Sequence, residues 1–421
     1  MTNKRRDRCA DWVMSGSRIL FFVEPFPIRE TDGAYFWVAE QWLAAVPDID
    51  AEVHFLSNAA TIQFLLQCNE KYNRPLPDTA FSAVGAELQT MIDALRVLPW
   101  HPMGMLHWRE LLLGTGDFSA AVTDELERLM RDRFAFDTVV VWGQNGAVRR
   151  FCDQHQLVCI NCELGATRHP LPTAYYADPW GAHGRALLPR LSVDDLPDVS
   201  SVRLDDIRRM VSPYSKPALP TGRRALVALQ TCDDANFLGI PEQAVDMAED
   251  AIQRVKRLSD AGFDVVVKGH PAAKIHPWTS AAQRKCFEQC AGLRGVACVE
   301  EAPPESNYLE WLATFDLVAS RTSSLVFEAS LVGALTALDG QSSFAAAGAF
   351  PTLSAVLDDR HDAQAHVERT ALNAGFYLSR YVHFDLRSLM LAIPTIAAFY
   401  AAERHAPIDS RVVHRWSEHM K

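Results

Sequence analysis

The stretch Leu317-Val-Ala-Ser-Arg-Thr-Ser-Ser-Leu-Val-Phe-Glu-Ala-Ser-Leu-Val332 reads as a short strand, a polar turn and a helix that starts at once. Leu317 to Ser320 carry no charge and suit a strand buried on both faces, the environment of a parallel sheet. Arg321-Thr-Ser-Ser324 supplies small hydroxyl residues that suit a helix start, and 325–332 is apolar at helical spacing. Upstream, Asp264-Val-Val-Val-Lys268 repeats the strand and stops at Gly269-His270-Pro271. Two such strands joined by helices make an open α/β sheet, whose ligands sit beyond the carboxyl ends of the strands.

Working outward, the same rhythm fills the rest of the second half. Strands are expected at 225–229, 296–300 and 335–338, with helices at 241–261, 281–291 and 308–315. The first half repeats it, with strands at 18–23, 52–56, 137–142 and 157–162 and helices at 35–46, 60–71 and 120–133. Between them, residues 166–222 are rich in Pro, Gly and Asp, with one helical stretch at 199–210, and end in Lys216-Pro-Ala-Leu-Pro-Thr-Gly222, which reads as a linker. The expected architecture is α/β: two Rossmann-like domains, 1–215 and 223–385, with a cleft between them. A helical segment, 386–421, is expected to pack back on the first.

A chain of 421 residues has room for two such cores. Hydrophobic residues make up 48% and charged residues 22%, the balance of a globular protein. The net charge of −11 opposes a nucleic-acid backbone, so no nucleic-acid partner is expected. Lys4, Arg5, Arg6 and Arg8 form a basic cluster that reads as a solvated terminus. The nine cysteines are too sparse for a disulfide scaffold, and Cys159 and Cys162, three apart on a strand, point to opposite faces. No segment is expected to cross a bilayer: the run after Arg18 is short, and residues 386–402 carry Arg387 and Pro394.

The carboxyl-end rule selects four places: Glu163-Leu-Gly165, Gln230 to Asn236, Gly269-His270-Pro271 and Arg321 to Ser324. Thr322, Ser323 and Ser324 offer hydroxyls and backbone N–H groups to a phosphate, although ordinary helix capping uses the same residues. Glu328, one turn on, faces the same helix end and could accept from a ribose. His270, before the rigid Pro271 and two residues after Lys268, could donate to a leaving phosphate, and a loop histidine is also commonly structural. Glu163 could act as base or nucleophile, with Gly165 leaving the backbone open to a substrate. Asn145, in the turn Gly143-Gln-Asn-Gly146, is a further candidate for substrate contact. The one Asp-x-Asp string, Asp48-Ile-Asp50, enters a strand instead of leaving one, which is the wrong sheet end for a donor metal, so no metal site and no separate cofactor are expected.

In this order the strings resemble the bacterial capsule-polysaccharide biosynthesis family, which includes β-Kdo transferases of the GT-B type, and more distantly the bacterial sialyltransferases. The resemblance runs from Glu163-Leu-Gly165 with Asp178-Pro-Trp-Gly181, through Gln230 with Asp233 and Asp234 and then Lys268-Gly-His270-Pro271, to Ser323-Ser-Leu-Val-Phe-Glu328-Ala. It spans about residues 137–350, with a weaker echo in Gly340-Gln-Ser-Ser-Phe344-Ala-Ala-Ala-Gly348. Gly269 stands where the family has proline, and Phe344 is what remains of an aromatic-rich segment.

The resemblance implies a glycosyltransferase, independent of metal, moving Kdo or another nonulosonate from a CMP-sugar onto a surface-polysaccharide or lipid-linked acceptor. His270, Pro271, Lys268, Gln230, Thr322, Ser323, Ser324 and Glu328 would hold the nucleotide. Glu163, with His270 and Asp178, would carry the chemistry, and Gly165, Asp234, Arg321 and Asn145 would contact substrate. It implies a cytoplasmic protein, peripheral on the inner membrane or in a capsule-assembly complex. Three other readings stay open: a transferase using a UDP- or GDP-sugar, with Arg321 serving the second phosphate; a nucleotide-sugar 2-epimerase; and a non-catalytic assembly subunit.

Overall fold

The computed structural model describes residues 17–215, 223–243, 245–358 and 361–420. The expected linker at 216–222 and the basic cluster at Lys4 to Arg8 lie outside them. Contacts divide the chain into two compact units, one formed by the chain up to Cys162 with Leu386–Arg404, the other by Glu163–Asp385 with His405–Lys421.

The first unit is built on strands β1 (Arg18–Phe22), β2 (Glu52–Ser57), β3 (Phe81–Ala83), β4 (Thr138–Trp142) and β5 (Val158–Leu164). The sheet has the order β3-β2-β1-β4-β5-β6, with β6 at Tyr175–Asp178 and the unit boundary falling inside β5. Neighbours from β3 to β5 run parallel, and β1 pairs Leu20 with both His54 and Val139. This is the doubly wound nucleotide-fold order. Ile19, Leu20, Phe21, Val139 and Val140 have no exposed surface, as a central strand covered on both faces requires.

The second unit carries β7 (Arg224–Ala228), β8 (Asp264–Lys268), β9 (Val296–Val299), β10 (Leu317–Ser320) and β11 (Leu335–Leu338) in the order β11-β10-β7-β8-β9, every pair parallel. The helices Met247–Asp260 and Pro277–Cys290 place Ile252, Val255, Leu258, Cys286 and Cys290 in one core with Ala225, Val227, Val265 and Val267. The order turns around between β7 and β10, so the loops leaving those two strands flank the topological switch point. Both units are Rossmann-like α/β folds, as the alternation of elements implies.

Elements beyond the expected set include the edge strands β3 and β6 and the helices Ala86–Arg96, Met105–Leu113 and Ala363–Phe376. β3 is three residues long and held only by β2, too short for a periodic signal. Segment 386–421 also splits. The helix Leu386–Glu403 belongs to the first unit, packing against Phe36–Ala45, whereas Ser410–His419 belongs to the second. Leu386–Glu403 is long and apolar enough to cross a membrane, and its Leu389, Met390, Ile393 and Ile396 are wholly buried inside its unit. Cys159 and Cys162 are buried free thiols.

Candidate functional site

The site grows from the switch point of the second sheet. Gln230, two residues past β7, reaches across to the turn after β10. Its Nε2 donates to Thr322 Oγ1 at 2.9 Å, and its Oε1 accepts from Ser320 Oγ and from Thr322 N, both at 3.0 Å. Gln230 is therefore the clamp that fixes the serine turn. Thr322 N is consumed by that clamp, Ser323 N donates to Ser320 Oγ at 3.3 Å, and Leu325 N donates to Ser323 Oγ at 3.3 Å. The Ser324 hydroxyl makes no capping bond. Segment 339–342 backs the turn, with Asp339 N on Ser320 O, Gly340 N on Arg321 O and Ser342 Oγ on Thr322 O.

His270 follows β8. Its Nδ1 accepts from Ala272 N at 3.1 Å, closing the short turn that Pro271 begins. An accepting Nδ1 on a neutral ring puts the proton on Nε2, which makes Nε2 a donor. His270 N donates to Gln283 Oε1 at 2.9 Å, which anchors the loop to helix Pro277–Cys290. A small, water-sized pocket lies beside it, lined by Leu229, Gln230, Met247, His270, Thr279 and Gln283 among others. The buried Thr279 hydroxyl has no hydrogen-bond partner among the described residues. Lys268 Nζ donates to Gly269 O at 3.1 Å, and burial lowers its pKa against the opposing pull of Glu328 and Glu301.

Gly269 explains its own departure from the family pattern. A Cβ there would stand 2.6 Å from Gln283 Oε1 and 2.7 Å from Glu300 O, and its N–H donates to Val299 O at 2.8 Å. Proline would lose that bond as well as meet those atoms.

Two carboxylates belong to the same unit. Glu163, half-buried at the end of β5, accepts from Leu164 N at 2.8 Å. Burial raises its pKa, His183 and Arg168 oppose the rise, and Asp234 adds to it. Glu328 is 4% exposed, and its oxygens accept from Arg168 N at 3.0 Å and from Tyr308 Oη at 2.5 Å. Burial lifts its pKa to about 7, with Tyr308 the main opposing influence. Each of its two oxygens thus already accepts from a protein donor. Asp234 caps the turn at Ala235–Leu238 by accepting from Asn236 N at 2.8 Å.

Other expected site residues are placed for structure. Asp178 has no exposed surface and accepts from Trp180 N at 2.7 Å, Gly181 N at 3.2 Å, Leu187 N at 2.6 Å and the hydroxyl of Tyr381. A carboxylate saturated by four donors and closed to solvent is not available as a nucleophile, which corrects the catalytic reading of Asp178. Gly165 likewise leaves no approach for a substrate, because a Cβ there would meet Ala174 Cβ at 2.7 Å and Tyr377 Oη at 3.0 Å. Arg321 pairs with Asp250 at 3.1 Å, in a network that also joins Arg254 to Asp250 and Asp339. Asn145 lies in the first unit, where it caps helix Gly146–His155 and donates to the buried Glu24 at 2.7 Å.

Sequence reasoning passed over Arg168, His183, Tyr176 and Tyr308. Arg168 and Tyr308 join the site through a partner at least 20 residues away, and no local pattern marks them. His183 does carry a signal: it stands between Gly181 and Gly184, two residues past the end of the Asp178-Pro-Trp-Gly181 string.

No family model matches the sequence, and no curated protein matches it. Among solved structures the chain is similar to two of Thermosulfurimonas dismutans KpsC. The β-Kdo 2,7 transferase is 17% identical over 60% of this chain and 80% of its own, at a TM-score of 0.36. The β-Kdo 2,4 transferase is 15% identical over 57% and 79%, at 0.37. It is also similar to the Methanocaldococcus jannaschii UDP-GlcNAc 2-epimerase in complex with UDP-GlcNAc and UDP, 11% identical over 91% of this chain and 99% of that one, at 0.31.

Proposed function

We propose that this chain is a glycosyltransferase that binds a nucleotide-activated sugar on its second unit. The carrying observation is the convergence at the carboxyl end of one sheet: a serine turn clamped by Gln230 after β10, and after β8 a histidine whose Nδ1 accepts from Ala272 N, which makes Nε2 the ring's donor nitrogen. Hydroxyls and an imidazole N–H in fixed positions suit an anionic phosphate, and held donors of this kind stabilise charge that builds on a leaving group. In this reading His270, Ser323 and Ser324 hold the phosphate, and Lys268 adds charge behind them. Glu163 acts at the sugar carbon, and the Glu328–Tyr308 pair sets the position of Arg168.

The donor we propose is a CMP-sugar, with Kdo or another nonulosonate as the sugar. CMP carries one phosphate, and the guanidinium that would serve a second, Arg321, is held by Asp250. The acceptor is a surface-polysaccharide or lipid-linked glycan in capsule biosynthesis, the reaction needs no metal, and the protein works in the cytoplasm at the inner face of the membrane. Calorimetric titration with CMP, UDP and GDP in EDTA, on the wild type and on His270→Ala, tests this. CMP binding that is tightest of the three and lost in the variant is the expected result. Preference for UDP or GDP moves the donor to a diphosphate sugar and revives the epimerase, and no binding at all ends the reading.

A further inference from the structure

Arg168 stands on the segment that leaves β5, and hydrogen bonds fix both its backbone and its side chain. Its backbone N–H donates to Glu328 Oε1 at 3.0 Å. Glu328 lies one turn past Ser324, whose carbonyl accepts from Glu328 N at 3.1 Å. A helical side chain leans toward the start of its own helix, so this bond holds Arg168 at the end of helix Leu325–Leu331 where the serine turn lies. Ala166 N donates to Tyr377 Oη at 2.9 Å and ties the segment down a second time. The guanidinium is placed as well: Nη1 donates to Thr167 O at 3.0 Å and to Gly165 O, two residues past Glu163.

Nη1 is thereby spent, while Nε and Nη2 meet no acceptor among the described residues and are not sealed from solvent. Arg168 is half-buried, as are Glu163, Lys268, His270, Ser323 and Ser324, so a solute can reach this corner of the second unit. No carboxylate among the described residues makes an ion pair with the guanidinium. The acid beside it, Glu328, accepts from the backbone N–H and from Tyr308 instead. A cation held in one place, drawn partly out of water and left without a counter-ion is arranged for an anion from outside. Nε–H and one Nη2–H of a guanidinium point the same way, the pair that grips a carboxylate through two hydrogen bonds.

We propose that Arg168 is the specificity-determining residue for an acidic donor sugar, its Nε and Nη2 binding the carboxylate on the anomeric carbon of a 2-ulosonate. The proposal rests on the nucleotide-sugar reading above and deepens it. In a CMP-ulosonate the carboxyl group and the phosphate oxygen share the anomeric carbon, so a group that reads the carboxylate must stand beside the phosphate. The bond to Glu328, one turn past Ser324, puts Arg168 there. An aldose ester has hydrogen at that position and would leave the guanidinium unpaired.

The test titrates CMP-Kdo and its C1 carboxamide by calorimetry into the wild type, Arg168→Gln and Arg168→Lys, with CMP as the check that each variant keeps a folded nucleotide site. Amidation removes the charge at nearly unchanged shape. The wild type should bind the acid about 10- to 100-fold more tightly than the amide, the worth of a charge-assisted pair of hydrogen bonds. Arg168→Gln should bind the two within about twofold of each other, and Arg168→Lys, which keeps the charge without the fork, should show an intermediate preference. A wild type that binds acid and amide alike overturns the proposal, and so does an acid preference that survives in full in the variants that bind CMP. Both of those outcomes leave CMP binding and the nucleotide reading in place. A wild type that binds no nucleotide, or that prefers UDP or GDP, removes the CMP-sugar donor and this proposal with it.

Discussion

Replacing Asp178 by asparagine turns an amide NH₂ toward a cluster of three backbone N–H groups and the Tyr381 hydroxyl. At least one donor then faces a donor in a site closed to water, and we expect a loss of about 3 kcal/mol in urea denaturation. Glu163→Gln keeps its shape in a half-buried position, so stability should change by less than about 1 kcal/mol while transfer falls by at least about 100-fold. The opposite outcome, a stable Asp178→Asn protein that has lost activity, would return Asp178 to the catalytic list. Glu328 gives a third prediction. Its pKa in the folded state, about 7, lies above the 4.5 of a free glutamate, so the native state binds more protons than the unfolded state between these values. Stability from this group is full below about pH 4.5 and is lost as pH rises through about 7. Glu328→Gln keeps both partners with no charge to bury, so the fall in stability from pH 5 to 8 should shrink by about 2 kcal/mol, read from urea midpoints at each pH. These residues show where legibility ends. Glu163, His270 and the serines stand at strand ends that local sequence marks. That Asp178 is sealed while Glu163 is not depends on Tyr381, more than 200 residues away, and on a loop that folds over it.

At the scale of elements, most strands and helices were legible because parallel strands buried on both faces leave unbroken apolar runs. The Val-Val-Val of β8 and the Leu-Val-Ala of β10 are such runs. β3 and β6 were not, since an edge strand of three or four residues takes its definition from the neighbour it bonds. The loops at the carboxyl ends were legible in place and not in duty. Gln230 reads as a nucleotide contact, and its side chain is spent on Ser320 and Thr322. Gln230→Ala should therefore cost about 2 kcal/mol of stability through three lost bonds and weaken nucleotide binding as the serine turn loosens. The β8 loop gives a graded companion. Gly269→Ala forces a Cβ against Gln283 and the Glu300 carbonyl, at about 1–3 kcal/mol. Gly269→Pro, which restores the family's residue, also removes the bond to Val299 O and should cost more. Melting curves of the two variants check the order, and a proline variant as stable as the wild type would mean that the loop can shift.

At the scale of the whole molecule, the chain returns to its first unit after completing most of the second, and then leaves it again. The helix Leu386–Glu403 joins the unit of β1, and Ser410–His419 joins the unit of β7, where Trp416 donates to Arg380 O at 3.1 Å and packs on Tyr381 and Trp180. Composition could not reveal this division, because both helices are amphipathic or apolar and the partner of each is fixed by packing distant in sequence. By length and hydropathy Leu386–Glu403 also suits a bilayer, and the burial of one face decides its place in the fold. Ile393 and Ile396 carry that face and have no exposed surface. Converting both to alanine removes buried methylene and methyl groups at adjacent positions, and each such truncation costs about 2–5 kcal/mol. We expect the first unit to unfold at a lower temperature in the double variant. Nucleotide affinity should stay that of the wild type at temperatures where both units remain folded, because every residue assigned to the nucleotide lies between Lys268 and Glu328 or at Gln230, in the other unit. Scanning calorimetry with and without CMP separates the two effects. A ligand that binds only the folded second unit raises the transition of that unit alone. A transition that shifts with the alanine pair and also responds to CMP would instead mean that the two units unfold as one.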